Sequence, residues 1–184
     1  REILELATNL RVIGRVGASL TGIDIDAATE RGVLVMNTPG TTSIAAGELT
    51  VLLMLAMSRR LPIVHNSMKE GWWLLDRKRQ IGTQLYGKTL GLIGLGRVGR
   101  EVASRAAAFG MDVLAYDPYI AEEQVDDLRL VLVTFKELLA RSDYVSIHVP
   151  LTNDTENLFD AERIAQMNPG AKLVNISAGR IWDE

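Results

Sequence analysis

Gly91-Leu92-Ile93-Gly94-Leu95-Gly96-Arg97-Val98-Gly99 is the stretch on which the fold turns. It holds Gly-x-Gly-x-x-Gly at Gly94, Gly96 and Gly99. A glycine-rich turn alone is weak evidence, so its flanks decide. The apolar run Thr89–Ile93 precedes it as a strand, and helical periodicity over Val98–Phe109 follows it. In a strand-turn-helix, the first glycine permits the tight turn, the second lets backbone approach a pyrophosphate, and the third lets the helix pack against the strand. The amides at such a helix start, with its dipole, hold phosphates without a lysine. The next strand ends at Tyr116-Asp117, close to the roughly 20-residue spacing after the glycines expected of a ribose-binding carboxylate. Such a carboxylate accepts hydrogen bonds from ribose hydroxyls and repels a 2′-phosphate, and Pro118-Tyr119-Ile120-Ala121 brings no arginine to bind one. The expected cofactor is therefore NAD rather than NADP. The competing reading makes Asp117 only the start of a turn before Pro118.

Outward from this unit, short β-branched runs alternate with helical patterns, the signature of stacked βαβ units. Strands are expected at Leu10–Ile13, Val33–Met36, Thr89–Ile93, Val113–Tyr116, Tyr144–His148 and Leu173–Ile176, with a weaker one near Val131–Val133. Each is short and apolar, as a strand buried on both faces should be. Helices are expected near Ile25–Arg31, Ile44–Arg59, Val98–Phe109, Phe135–Ala140 and Asp160–Gln166, with Gly32 and Gly110 as C-terminal caps. The predicted fold is α/β, a doubly wound parallel sheet. The turn-rich stretch Asn37-Thr38-Pro39-Gly40-Thr41-Thr42-Ser43 reads as a hinge between domains.

Composition closes off other classes. The 184 residues carry 20 Lys+Arg against 23 Asp+Glu and no cysteine. A net charge of −3 offers no broad basic face for nucleic acid. Without cysteine there are no disulfides, thiolate metal sites or cysteine nucleophiles, and a reducing, cytoplasmic setting is permitted. No metal site is expected. The longest apolar run, Leu49 to Met57, falls well short of the roughly 20 residues a membrane span needs. The chain opens on Arg1 in a helical pattern and stops at Asp183-Glu184 just after an apolar run, so both ends are expected to be cut.

Some features leave two readings open. The helix from Ser43 is apolar almost all round, through Ile44, Leu49, Val51, Leu52, Leu53, Met54 and Leu55, so it is either an ordinary core helix or one covered by a second domain or subunit. Trp72-Trp73 is either core filling or an arm that grips another chain. Arg77-Lys78-Arg79 reads as a solvated basic turn, since no aromatics interleave with it. His148 ends a parallel strand, where a general acid/base could face a cleft.

Gly87-Lys88-Thr89-Leu90 through Val102, Phe109-Gly110-Met111, Tyr116-Asp117-Pro118, His148-Val149-Pro150-Leu151-Thr152 and Val174-Asn175-Ile176-Ser177 resemble the D-isomer-specific 2-hydroxyacid dehydrogenases. The resemblance runs the length of the chain. It implies a flavodoxin-like substrate domain ending in residues 1–35, then a Rossmann-type NAD domain over 36–184, incomplete at its C-terminus. It also implies hydride transfer between a nicotinamide and the C2 carbon of a small 2-hydroxy or 2-oxo acid, and a homodimer or homotetramer formed through Ser43–Arg59 and the Trp72-Trp73 region.

The resemblance places the amides of Arg97 and Val98 on the pyrophosphate and Asp117 on the adenosine ribose. Val149 and Pro150 fall on the adenosine side, Ile176, Ser177 and Ala178 beside the nicotinamide, and Ala18 approaches from the other domain. The family's catalytic histidine lies downstream of this sequence, which makes His148 a cleft-wall residue and His65 a surface or packing residue. One departure bears on activity. The family's Val-Asn-x-x-Arg-Gly-Gly reads Val174-Asn175-Ile176-Ser177-Ala178-Gly179-Arg180 here, so Ala178 stands where an arginine clamps the substrate's carboxylate and 2-oxo oxygen. Arg180 is the nearest substitute, about 6.6 Å further along an extended chain. That departure motivates a second reading, an NAD-binding regulatory or scaffold relative without turnover; a third, a different Rossmann enzyme of the alanine dehydrogenase type, is disfavoured by the spread of matching segments.

Overall fold

The computed structural model describes residues 1–72, 77–125 and 129–183, with only the backbone for residues 77 and 79. Trp73 lies outside the described residues. The chain divides into two compact units, Arg1–Ile44 and the residues from Ala45 onward.

The first unit contains α1 (Glu2–Leu6), β1 (Val12–Arg15), α2 (Ile25–Glu30) and β2 (Leu34–Asn37). Helix α2 starts where the Asp24 carboxylate accepts from the Ala27 N–H at 2.9 Å, an N-cap that satisfies one of the helix's orphan donors. β1 and β2 pair in parallel from Val12↔Leu34 to Arg15↔Asn37. Leu4, Ala27, Ala28 and Val33 form the small core. The expectation that every strand is buried on both faces does not hold here: Val12 and Leu34 are 47% and 56% exposed. Two strands with the short helices α1 and α2 packed on one face leave the other face of the pair open. The unit also ends later than the 35/36 boundary. β2 runs on to Asn37, whose Nδ2 donates to the Ala18 carbonyl at 2.8 Å, and Thr38 Oγ1 accepts from the Gly17 N–H at 2.8 Å. The chain is therefore bound to the first unit past the expected hinge start.

The second unit opens within α3 (Ser43–Ser58), after its first two residues, and goes on to α4 (Leu61–Lys69) and α5 (Arg77–Gln80), the last formed by the basic run read as a turn. It continues through β3 (Thr89–Ile93), α6 (Arg97–Ala108), β4 (Asp112–Tyr116), β5 (Val131–Leu132), α7 (Phe135–Arg141), β6 (Tyr144–Ile147), α8 (Ala161–Ala165) and β7 (Lys172–Asn175). The five strands lie in the order β5-β4-β3-β6-β7, and every neighbouring pair is parallel. From β3 the chain builds outward to β5 and then returns to β6 on the other side. The carboxyl ends of β3 and β6 therefore flank the topological switch point, where doubly wound sheets bind ligands.

Alternation along the strands supplies both layers. Leu90 and Leu92 pack with Val102, Ala106 and Met54 on one face, while Ile93, Val145 and Ile147 pack with Leu138, Leu139 and Phe159 on the other. Here the expectation of strands buried on both faces is met by the central strand β6, all of which is buried, and not by the edge strand β5, where Val131 is exposed. Helix α3 buries Gly47, Thr50, Val51, Met54 and Ser58, and leaves Leu49, Leu52 and Leu53 exposed on its far side.

Candidate functional site

Strand β3 ends in a turn that only glycine fits. Gly94 has φ +90, and a Cβ there would sit 2.8 Å from the His148 carbonyl oxygen. Its N–H donates to the Tyr116 carbonyl at 2.9 Å, so the turn is held between the ends of β4 and β6. Gly99 lies in the first turn of α6, and a Cβ on it would meet the Gly94 oxygen at 2.3 Å. The helix thus packs directly on the loop that starts it. Gly96 is the opposite case, since nothing lies within 4 Å of a Cβ built on it. It caps α6 without a side chain, leaving the first-turn amides of Arg97 and Val98 to an outside acceptor.

Gly94 and Gly96 border a cavity of about 330 Å³ at the switch point. Of the residues singled out in the sequence, it brings together Gly94, Gly96, Asp117, Val149 and Pro150. Arg97, Val98 and Gly99 follow in the first turn of α6. Ile176, Ser177 and Ala178 come just after β7, outside the cavity, tied to the end of β6 where Ser177 Oγ donates to the Ile147 carbonyl at 3.1 Å. Ala18 belongs to the first unit. Arg180 is engaged elsewhere: its guanidinium pairs with the Glu156 carboxylate, with Nε donating at 3.0 Å.

Asp117 serves the turn and faces the cavity at once. Its Oδ2 accepts from the Leu95 N–H at 2.8 Å and its Oδ1 from the Tyr119 N–H at 3.0 Å. A carboxylate has about four acceptor positions, so capacity remains for a ligand's hydroxyls. The two readings of Asp117 are therefore compatible.

His148 is also in the cavity wall. Its Nε2 lies 2.9 Å from Ser146 Oγ, while Nδ1 is buried without a partner among the described residues. A Ser146 hydroxyl donating to Nε2 leaves one unpaired group, the Nδ1–H, whereas the reverse leaves two, so the network assigns the Nδ1–H tautomer. Burial pushes its pKa down to about 4, and the imidazole is neutral near pH 7. This carries a stability prediction. Above the ordinary value of 6.5 folded and unfolded chains both hold a neutral ring; as pH falls toward about 4 the unfolded chain binds the proton first. About 3 kcal/mol is expected to be lost over that window. Denaturant unfolding at pH 7.5 and 4.5 should show that loss in the parent chain and not in His148→Gln; equal losses in both would place the ring in water.

Sequence reasoning missed Tyr119, Thr152, Asp154, Thr155 and Leu158, which also line the cavity. The signal for two of them was Thr-x-x-Thr just past a strand's carboxyl end. Thr155 Oγ1 accepts from the Thr152 N–H at 2.8 Å and donates to the Pro150 carbonyl at 2.6 Å, which pins that loop against the cavity.

The donor set fits a dinucleotide. An open helix start without a side-chain cap suits a pyrophosphate, an adjacent carboxylate suits a diol, and a wall of Val149, Pro150 and Leu158 suits a flat base. Among the described residues no His, Asp and Glu cluster could hold a metal, and no helix is long and apolar enough to cross a membrane.

Residues 51–184 match the profile of the family described as D-isomer specific 2-hydroxyacid dehydrogenase, NAD binding domain. The chain belongs to the D-isomer-specific 2-hydroxyacid dehydrogenases. The matched residues contain the glycine turn, Asp117 and the loop after β7, and they correspond to that family's NAD-binding domain. Along its whole length the chain is 47% identical to the D-3-phosphoglycerate dehydrogenase of Methanocaldococcus jannaschii, covering 35% of that protein. It spans about a third of the curated relatives it matches. A Thermus thermophilus protein superposes with a TM-score of 0.92 at 37% identity, over 99% of this chain and 57% of that one. The Aquifex aeolicus D-lactate dehydrogenase, solved with NAD and lactic acid, superposes with a TM-score of 0.87 at 32% identity, over 100% of this chain and 54% of that one.

Proposed function

We propose that this chain is the cofactor-binding part of an NAD-dependent dehydrogenase of the D-3-phosphoglycerate type, acting between 3-phosphoglycerate and 3-phosphohydroxypyruvate in serine biosynthesis. The observation that carries the reading is the glycine turn at the switch point, closed against the His148 carbonyl and opening α6 toward a cavity that also holds Asp117. The amides of Arg97 and Val98 bind pyrophosphate oxygens, and Asp117 accepts from the adenosine ribose. Val149 and Pro150 wall the adenosine, while Ile176, Ser177 and Ala178 shape the nicotinamide side. When bound, NAD supplies a C4 carbon that takes or gives the hydride; the chain supplies orientation and water exclusion.

The first unit is assigned in the same proposal to the end of a substrate-binding domain. A cytoplasmic setting also belongs to it, as does a homodimer or homotetramer, which Leu49 and Leu52 support by leaving α3 with an exposed apolar side. Ala178 and the engagement of Arg180 with Glu156 favour a second reading, an NAD-binding regulatory relative without turnover.

Titration of the chain with NADH and NADPH by calorimetry tests the cofactor site. NADH is expected to bind at least about tenfold more tightly, since Asp117 repels a 2′-phosphate. Equal affinities would remove Asp117 from the ribose, and no binding of either would overturn the proposal.

A further inference from the structure

Asn175 is the last residue of β7, at the point where the chain leaves the sheet and its backbone groups lose their ladder partners. Its carboxamide replaces two of them. Oδ1 accepts from the Ser177 N–H at 2.9 Å, and Nδ2 donates to the Ala178 carbonyl at 2.9 Å. That carbonyl also accepts from the Ile181 N–H at 3.2 Å, which starts the short helical turn Gly179–Ile181. A third tie comes from the neighbouring strand: Ser177 Oγ donates to the carbonyl of Ile147, the residue paired with Asn175 in the sheet register. The backbone from 176 to 178 is thus held from both ends and from one side.

We infer that Asn175 is a positioning residue for the nicotinamide side of the site: it touches no substrate, and its carboxamide sets where Ile176, Ser177 and residue 178 stand. The inference rests on the proposed reading of that loop as nicotinamide-facing. The chemistry is specific to an uncharged amide, because the two ties require an acceptor and a donor on one short side chain. Aspartate keeps the first tie, loses the second and sets a negative charge against the Ala178 oxygen.

The test compares two nucleotides. ADP-ribose shares the adenosine, pyrophosphate and second ribose of NADH and lacks its nicotinamide. For Asn175→Asp, NADH affinity measured by calorimetry is expected to fall about tenfold, while ADP-ribose affinity stays within about twofold and the thermal midpoint is close to that of the parent. A parallel loss of both affinities, or unchanged NADH affinity, would overturn the inference, because a residue that merely supports the fold moves both nucleotides together. Should the new charge prevent folding, Asn175→Ala, neutral and without either tie, is held to the same pair of outcomes. A parent chain that binds ADP-ribose as tightly as NADH would instead overturn the nicotinamide-facing reading, and the inference with it; one that binds neither would overturn the proposed function.

Discussion

Gly96→Val is expected to lower NADH affinity about 10²-fold or more while leaving the fold nearly as stable as before. The backbone at Gly96 has φ −71 and ψ −162, a region open to valine, and no atom lies within 4 Å of the new Cβ. The folding cost is therefore that of a poorer N-cap, about 1 kcal/mol, or roughly 3 °C in the thermal midpoint for a domain of this size. Binding is affected far more. The side chain occupies the space through which a pyrophosphate reaches the Arg97 and Val98 amides, and each charge-assisted hydrogen bond lost is worth about 1.5–3 kcal/mol. Gly99→Ala should instead cost the fold first, with NADH affinity falling because the Arg97 and Val98 amides move with the helix. Its Cβ would meet the Gly94 carbonyl oxygen at 2.3 Å, so α6 must shift off the turn. Overpacking of this kind costs about 1–3 kcal/mol and lowers the midpoint by several degrees. Scanning calorimetry with NADH titration of both variants separates the two effects. Equal destabilisation by both would mean that Gly96 is packed rather than open, and the pyrophosphate assignment would fail.

That contrast shows why the heart of the site was legible in sequence. Gly94, Gly96 and Gly99 each answer a local demand: a positive φ, an open approach and a close helix contact. Local demands leave a mark at fixed spacing, and Asp117 follows in the same way because one βα unit sets its distance from the glycines. The doubly wound parallel sheet needed little more, since alternating strands and helices with right-handed crossovers leave few arrangements, though the order of its strands was not read.

What escaped the sequence depends on partners far apart in the chain. Val12 and Leu34 look like the residues of any buried strand, and only the number of neighbouring strands decides that they are exposed. Nothing near Arg180 marks Glu156 as its partner, because the pair forms across two loops that meet beyond β6 and β7. The end of the first unit moved past Asn37 for a similar reason: the side chains of Asn37 and Thr38 bind back to residues 17 and 18, which a turn-rich composition does not reveal. Asn175 was visible as a motif letter, but its two ties depend on the path taken by the three residues after it.

Within the proposed function Ala178 stands where an arginine is expected to clamp the substrate, and Ala178→Arg addresses that departure directly. Ala178 has φ −103 and ψ 142, an extended conformation that arginine adopts without strain, and it is only partly buried at the edge of the core beneath β7. A full-length dehydrogenase carrying this sequence with Ala178→Arg is expected to turn over 2-oxo acids about 10²-fold or more faster than its parent. A bidentate charged clamp contributes about 1.5–3 kcal/mol, and correct placement of the substrate carries a similar factor again. Arg180→Gly in the parent should leave turnover unchanged, because the Arg180 guanidinium is already paired with Glu156. A loss of activity on Arg180→Gly would instead identify Arg180 as the clamp. Steady-state NADH oxidation in the four combinations of these substitutions reads both effects. If Ala178→Arg brings no gain while NADH affinity is retained, a missing arginine is not what limits turnover, and the regulatory reading gains over the dehydrogenase one.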